Sequence, residues 1–138
     1  MTTVLSHGTF DYLHYGHLLH FQEARNLGDK LIVTITADEF VNKGPGRPIF
    51  TEDERLEMIR ALRCVDHAEI CREKTGLAMI RRFKPDIYAK GGDYREQDKH
   101  GSLEIEREEV ERYGGVLVLT DHGGWSSTKL IERLRNGK

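Results

Sequence analysis

Two histidines, His14 and His17, stand three residues apart in the segment Gly8-Thr9-Phe10-Asp11-Tyr12-Leu13-His14-Tyr15-Gly16-His17. The segment falls where an apolar run hands over to a helical pattern. Residues at this spacing share a helix face, so both imidazoles can aim at one point beside the helix start. A helix start also offers unpaired backbone N–H groups and the positive end of the macrodipole, which suit an anion. Two added donors point to an anion that gains charge during a reaction, and phosphate is the obvious candidate.

Plainer readings stand beside that one. The pair could serve capping or packing, or bind zinc with a third ligand from His7, Asp11 or His20, although no H-E-x-x-H pattern or cysteine cluster accompanies it. Gly8 and Gly16 could be simple turn residues, or their missing Cβ could let a phosphate approach the backbone. Lys90-Gly91-Gly92-Asp93 reads as a turn or as a nucleoside rim, with Asp93 accepting from base or ribose. Ser126, Ser127 and Thr128 are good helix caps, and their hydroxyls with free N–H groups also make a phosphate cradle. Trp125 suits the core or a ligand contact, the glutamate-rich stretch 103–113 reads as a solvated face, and His67 and His100 have no evident role.

Short apolar runs alternating with helical patterns must position these groups. Strands are expected at Thr3–Ser6, Leu31–Ile35, Val65–Cys71, Asp86–Ala89 and Val116–Leu119. Between them, Leu18, Phe21, Ala24 and Leu27 follow helical spacing up to Gly28 at the C′ position, and Thr51 with Glu54 forms a capping box. Further helices are expected over Leu77–Phe83, Leu103–Tyr113 and after Ser126. This alternation argues an α/β, Rossmann-like three-layer fold with a five-stranded parallel sheet. Ligands of such sheets bind at the carboxyl ends of the strands, where the loops carrying Thr9, Asp11, His14, His17, Lys43, Arg47, Lys90, Asp93 and Ser126 would converge. The loop 42–50, with two glycines and two prolines, is the segment expected to move.

At 138 residues the chain is read as a single domain over 1–138, with an ordinary 38% hydrophobic and 32% charged residues. A net charge of -2 gives no general attraction to nucleic acid or an anionic membrane. No run reaches the ~18 apolar residues of a membrane span, and a cytoplasmic location is expected. Cys64 and Cys71 read as reduced structural thiols.

Gly8-Thr9-Phe10-Asp11 with His14-Tyr15-Gly16-His17 resembles the HxGH motif of the nucleotidyltransferase superfamily, and Ser126-Ser127-Thr128-Lys129 resembles its second motif. Glu54-Arg55, Arg63-Cys64-Val65-Asp66 and Lys90-Gly91-Gly92-Asp93 fall between them in the family's order. The chain is similar to the glycerol-3-phosphate cytidylyltransferases in its length and in the run Thr36 to Phe40. Lys90–Tyr94, Arg47-Pro48 and Gly114-Gly115-Val116 lean toward the adenylyltransferase domains that act on heptose 1-phosphate. In the glycerol-3-phosphate enzymes an arginine contacts the nucleotide shortly before the second motif; the equivalent position here is Asp121.

The resemblance implies attack of a phosphorylated small molecule on the α-phosphorus of a nucleoside triphosphate, with pyrophosphate released. CTP and a polyol or sugar phosphate are the favoured pair, ATP and a heptose-1-phosphate-like acceptor the alternative. A non-catalytic nucleotide-binding regulatory module is the reading from another class. His14 and His17 would act as donors in the transition state, since a phosphate monoester is mostly dianionic at neutral pH and needs no base. Lys43 would neutralise triphosphate charge. Gly8, Thr9, Phe10, Asp11, Gly16, Arg55, Lys90, Gly91, Asp93, Ser126, Ser127 and Thr128 would bind the nucleotide. Mg²⁺ would bridge triphosphate oxygens, with Asp11 as the nearest protein candidate. Arg63 matches a subunit-boundary position, which implies a homodimer.

Overall fold

Leu31–Ile35, rich in β-branched residues, belongs to a strand buried on both faces, as its composition requires. The computed structural model describes residues 1–41, 44–91, 102–121 and 127–137, with Ser127 and Thr128 described by their backbone alone. The elements run β1 (Thr3–Gly8), α1 (Tyr15–Asn26), β2 (Lys30–Thr36), α2 (Glu52–Arg60), β3 (His67–Cys71), α3 (Leu77–Phe83), β4 (Ile87–Gly91), α4 (Ser102–Arg112), β5 (Val116–Thr120) and α5 (Ser127–Arg135). A short 3₁₀ turn, Asp38–Phe40, follows β2.

All strand pairs are parallel, in the order β3-β2-β1-β4-β5. The chain winds outward from β1 to β3, crosses back, and continues from β4 to β5, so the order reverses between β1 and β4. One face packs Val4, Val33, Ile35 and Ala89 against Phe21 and Ala24 of α1 and Ile59 of α2. The opposite face packs Leu5, Ile32 and Tyr88 against Met79 and Ile80 of α3 and Val110 of α4. Helices therefore cover both faces, as a parallel sheet needs.

The differences from the expected boundaries have local causes. α1 begins at Tyr15, ahead of the apolar pattern that starts at Leu18, because His14 itself is its cap. β3 begins at His67 rather than Val65, because the Val65 N–H turns back to Leu62 O and the Asp66 carboxylate is held by the Leu31 N–H. Gly28 stands after the Leu27 C-cap, but close packing rather than a left-handed turn explains it: a Cβ there would lie 2.8 Å from Thr2 O. α3 stops on Lys84, which takes the left-handed conformation itself (φ 44, ψ 58) immediately before Pro85.

Candidate active site

The sheet opens where its strand order reverses. The ladder between β1 and β4 comprises Val4–Ile87 and Leu5–Tyr88. Beyond it, main-chain carbonyls turn to side chains: His7 O accepts from Lys90 Nζ at 3.2 Å, and Lys90 O accepts from Thr120 Oγ1 at 3.3 Å. This is the crevice at the carboxyl ends of the strands that doubly wound sheets offer a ligand.

The loop leaving β1 is tightly wound. Phe10 and Tyr12 both take positive φ, 50 and 54, a conformation that costs a non-glycine residue about 1–3 kcal/mol and clusters at functional sites. The turn folds the Phe10 ring over Gly8, where a Cβ would lie 2.9 Å from Phe10 Cζ. In this structure the space beside Gly8 is thus taken by an aromatic ring.

His14 and His17 cap α1 reciprocally. His14 Nδ1 accepts from the Gly16 N–H at 3.0 Å, and His17 Nδ1 accepts from the His14 N–H at 3.2 Å. A ring nitrogen that accepts carries no proton, so the neutral tautomer of each ring holds its proton on Nε2. The two rings stack at 3.9 Å between centroids, 21° apart in plane. The capping reading therefore holds, and it leaves Nε2–H as the donor of each neutral ring, with its direction fixed at a helix N-terminus.

The loop after β2 is clasped onto the first. Asp11, buried, accepts at Oδ2 from Arg47 Nε (2.9 Å) and the Ile49 N–H (2.7 Å), and at Oδ1 from the N–H groups of Phe50 (3.1 Å) and Tyr12 (3.0 Å). Burial alone would raise its pKa, but the Ile49 and Phe50 N–H groups and the Arg47 guanidinium hold it below the usual carboxylate range. Arg55 is fully buried and spends Nε on Phe50 O, one terminal nitrogen on Thr9 O and the other on Asp38 Oδ1. It ties the first loop to both ends of the second. The segment expected to move is, over 44–50, held at several points, with Arg135 also donating to Pro45 O.

On the other face of the crevice, Lys90 is buried with Nζ 3.4 Å from Glu106 Oε2 and 5.4 Å from the Tyr88 ring centre. His7 Nδ1 lies 2.9 Å from Thr34 Oγ1. Burial first, and the Lys90 charge second, lower the His7 pKa to about 3, so this ring is neutral at physiological pH.

The structure thus gathers Gly8, Thr9, Phe10, Asp11, His14, Gly16, His17, Arg55, Lys90 and Gly91 at one end of the sheet. Lys43, Asp93 and Ser126 lie outside the described residues, as do Trp125 and His100, and the side chains of Ser127 and Thr128 are likewise not described. The zinc reading fails among the described residues: His7 and His20 bond hydroxyls, Asp11 bonds N–H groups, and no cluster of three ligating side chains exists there. Sequence reasoning missed what His20 does. The available signal was a polar residue one turn after His17, between the apolar positions Leu18 and Phe21.

Residues 5–133 match a family model described as cytidylyltransferase-like. The chain is 40% identical over 139 residues to bifunctional protein HldE of Photobacterium profundum, covering 99% of this chain and 28% of that protein. It is 42% identical over 134 residues to bifunctional protein HldE of Pelobacter propionicus, covering 95% of this chain and 26% of that one. The chain thus spans little more than a quarter of these relatives' length. A crystal structure described as the lipopolysaccharide core biosynthesis protein from Thermoplasma volcanium superposes with a TM-score of 0.72 at 29% identity, over 91% of this chain and 99% of that one.

Proposed function

This chain belongs to the cytidylyltransferase-like family and is a nucleotidyltransferase, and from that premise we propose that it transfers the adenylyl group of ATP to a heptose-1-phosphate-like sugar phosphate, releasing pyrophosphate. The similarity to HldE across nearly the whole chain carries this reading. It favours ATP over the CTP expected from the glycerol-3-phosphate resemblance, and Asp121, where those enzymes carry an arginine, agrees.

In the proposed reaction a dianionic phosphate oxygen of the acceptor attacks the α-phosphorus. A new P–O bond forms, the bond to the α–β bridging oxygen breaks, and its electron pair leaves with pyrophosphate. No proton moves, so no general base is required. The Nε2–H donors of His14 and His17 stabilise the charge gathering on the α-phosphate oxygens, a positioning and electrostatic role. Arg55 and Asp11 hold the first two loops in place around them. Lys43, Asp93 and the Ser126–Thr128 segment would grip the triphosphate and nucleoside. Asp11 does not fit as a magnesium ligand, since both its oxygens already accept N–H donors; magnesium enters this proposal as part of the substrate, carried on the triphosphate. The homodimer belongs to the proposal too, with Arg63 beside an open pocket lined by Leu18, Gln22, Leu62 and Cys64, and light scattering tests it.

The deciding experiment screens the four nucleoside triphosphates for thermal stabilisation, then sugar and polyol phosphates for pyrophosphate release. ATP with a heptose 1-phosphate should give the highest turnover. Turnover with CTP and glycerol 3-phosphate instead would overturn the assignment.

A further inference from the structure

We propose that His20 is a positioning residue for the transfer, locking the helix start that carries His14 and His17 to the end of β5; the inference rests on the transferase reading above. His20 lies in α1 one turn beyond His17 and is 5% exposed. Its Nε2 is 2.6 Å from Ser6 Oγ in β1, and its Nδ1 is 2.6 Å from Thr120 Oγ1 in β5. Thr120 Oγ1 in turn donates to Lys90 O in β4 at 3.3 Å.

Hydrogen counting sets the directions in this chain for a neutral His20 ring. A hydroxyl has one hydrogen, and Thr120 spends it on the carbonyl, so it must accept from His20. Nδ1 of His20 therefore bears the proton, and Nε2 accepts from the Ser6 hydroxyl. The tautomer is the reverse of that in His14 and His17. The chain runs Ser6 to His20 to Thr120 to Lys90 O, and it crosses the part of the sheet where the β1–β4 ladder of Val4–Ile87 and Leu5–Tyr88 has ended. One imidazole thus bonds β1 and β5 directly and reaches β4 through Thr120, where the ladder is missing.

Two further contacts tie this chain to the chemistry. Glu23, the next turn of α1, accepts the Asp121 N–H at 3.1 Å, so α1 grips both the last residue of β5 and the one after it. The Phe10 ring stacks on His20 at 6.3 Å and meets His17 edge-on at 5.6 Å. β5 leads toward Ser126, and α1 carries the paired imidazoles. The distance from the paired imidazoles to the end of β5 is therefore set at His20 and Thr120. An error of about 1 Å in such a distance costs on the order of 10²-fold in rate.

The test uses Thr120→Val, which removes the hydroxyl at nearly constant shape, Thr120→Ser, which keeps it, and His20→Phe, which keeps a ring against Phe10. Pyrophosphate release gives kcat and KM, and ¹⁵N imidazole spectra of the substrate-free protein report the His17 tautomer independently of activity. Thr120→Val should lower kcat ~10-fold or more, with KM for the triphosphate within about twofold, and should move His17 away from a single Nε2–H form. Thr120→Ser should restore both. The double variant should be no slower than His20→Phe alone, because one chain is broken once. Unchanged His17 nitrogen signals in Thr120→Val overturn the proposal, as does a kcat within about twofold of the parent. If the parent releases no pyrophosphate with any substrate pair, the transferase reading falls and the nitrogen spectra alone decide the role of His20. Should His20→Phe fail to fold, the two Thr120 variants still give the answer.

Discussion

At the scale of single residues, His14 and His17 each cap the helix with Nδ1, and in the proposed reaction each also serves as a donor through Nε2–H. The two roles can be separated by substitution. Asparagine at position 14 can still cap, since its side-chain oxygen can accept the Gly16 N–H, but it loses the Nε2–H. His14→Asn should therefore keep stability within about 0.5 kcal/mol of the parent while kcat falls ~10²–10³-fold. His14→Ala should show the same loss of rate and lose a further ~1 kcal/mol of stability with the cap. Urea unfolding and steady-state kinetics on both variants check this. Loss of stability without loss of rate would leave the ring a cap and nothing more. The sequence made this pair legible because spacing alone brings the rings to one helix start. It could not reveal the tautomers, which depend on backbone N–H groups whose direction only the fold supplies.

Elements carry the next level of the argument. The capping box of α2 was readable from Thr51 and Glu54, and both of its bonds form: the Glu54 N–H donates to Thr51 Oγ1 at 3.2 Å and the Thr51 N–H to Glu54 Oε1 at 2.9 Å. Thr51→Ala should cost about 1 kcal/mol in chemical denaturation with kcat unchanged, because the cap is exposed and both its bonds run only between Thr51 and Glu54. The Asp11 clasp was not readable. Glycines and prolines over 42–50 signal only that no helix or strand can form there; nothing local says that a carboxylate more than thirty residues earlier collects the loop's N–H groups. The same long reach hid the Arg55 strut, whose partners Thr9, Asp38 and Phe50 come from separate segments. Asp11→Asn replaces one acceptor oxygen with an amide group that repels the donors around it. With the Arg47–Asp11 pair almost wholly buried, losing it should open the loop at a cost of about 3 kcal/mol. Amide hydrogen exchange at Ile49 and Phe50 should then accelerate ~10²-fold. Exchange at the parental rate would mean the loop is held by something other than Asp11.

For the molecule as a whole, strand–helix alternation sufficed to read a parallel sheet covered on both faces, because each strand's composition reports burial on two sides. The break between β1 and β4 was not visible in composition, since Ser6, His7 and Lys90 look like ordinary polar residues in a strand. Folding places them at the open end of the sheet, where their side chains substitute for ladder bonds. This arrangement also makes global stability depend on pH through His7. Its pKa falls from 6.5 when unfolded to about 3 in the folded chain, because burial and the neighbouring Lys90 disfavour the imidazolium. The unfolded chain therefore binds one more proton between these values, and folding must expel it. Stability from this residue is fully present above about pH 6.5 and is lost progressively as the pH falls toward 3, a change of a few kcal/mol in total. His7→Gln retains a side chain able to hydrogen-bond Thr34 but has nothing to titrate. Denaturation midpoints measured from pH 7 to pH 4 should fall less steeply for His7→Gln than for the parent, by up to one proton's worth of slope. Parallel curves for the two proteins would show that His7 is charged or solvated in the native state, and that the open end of the sheet is wetter than its packing indicates.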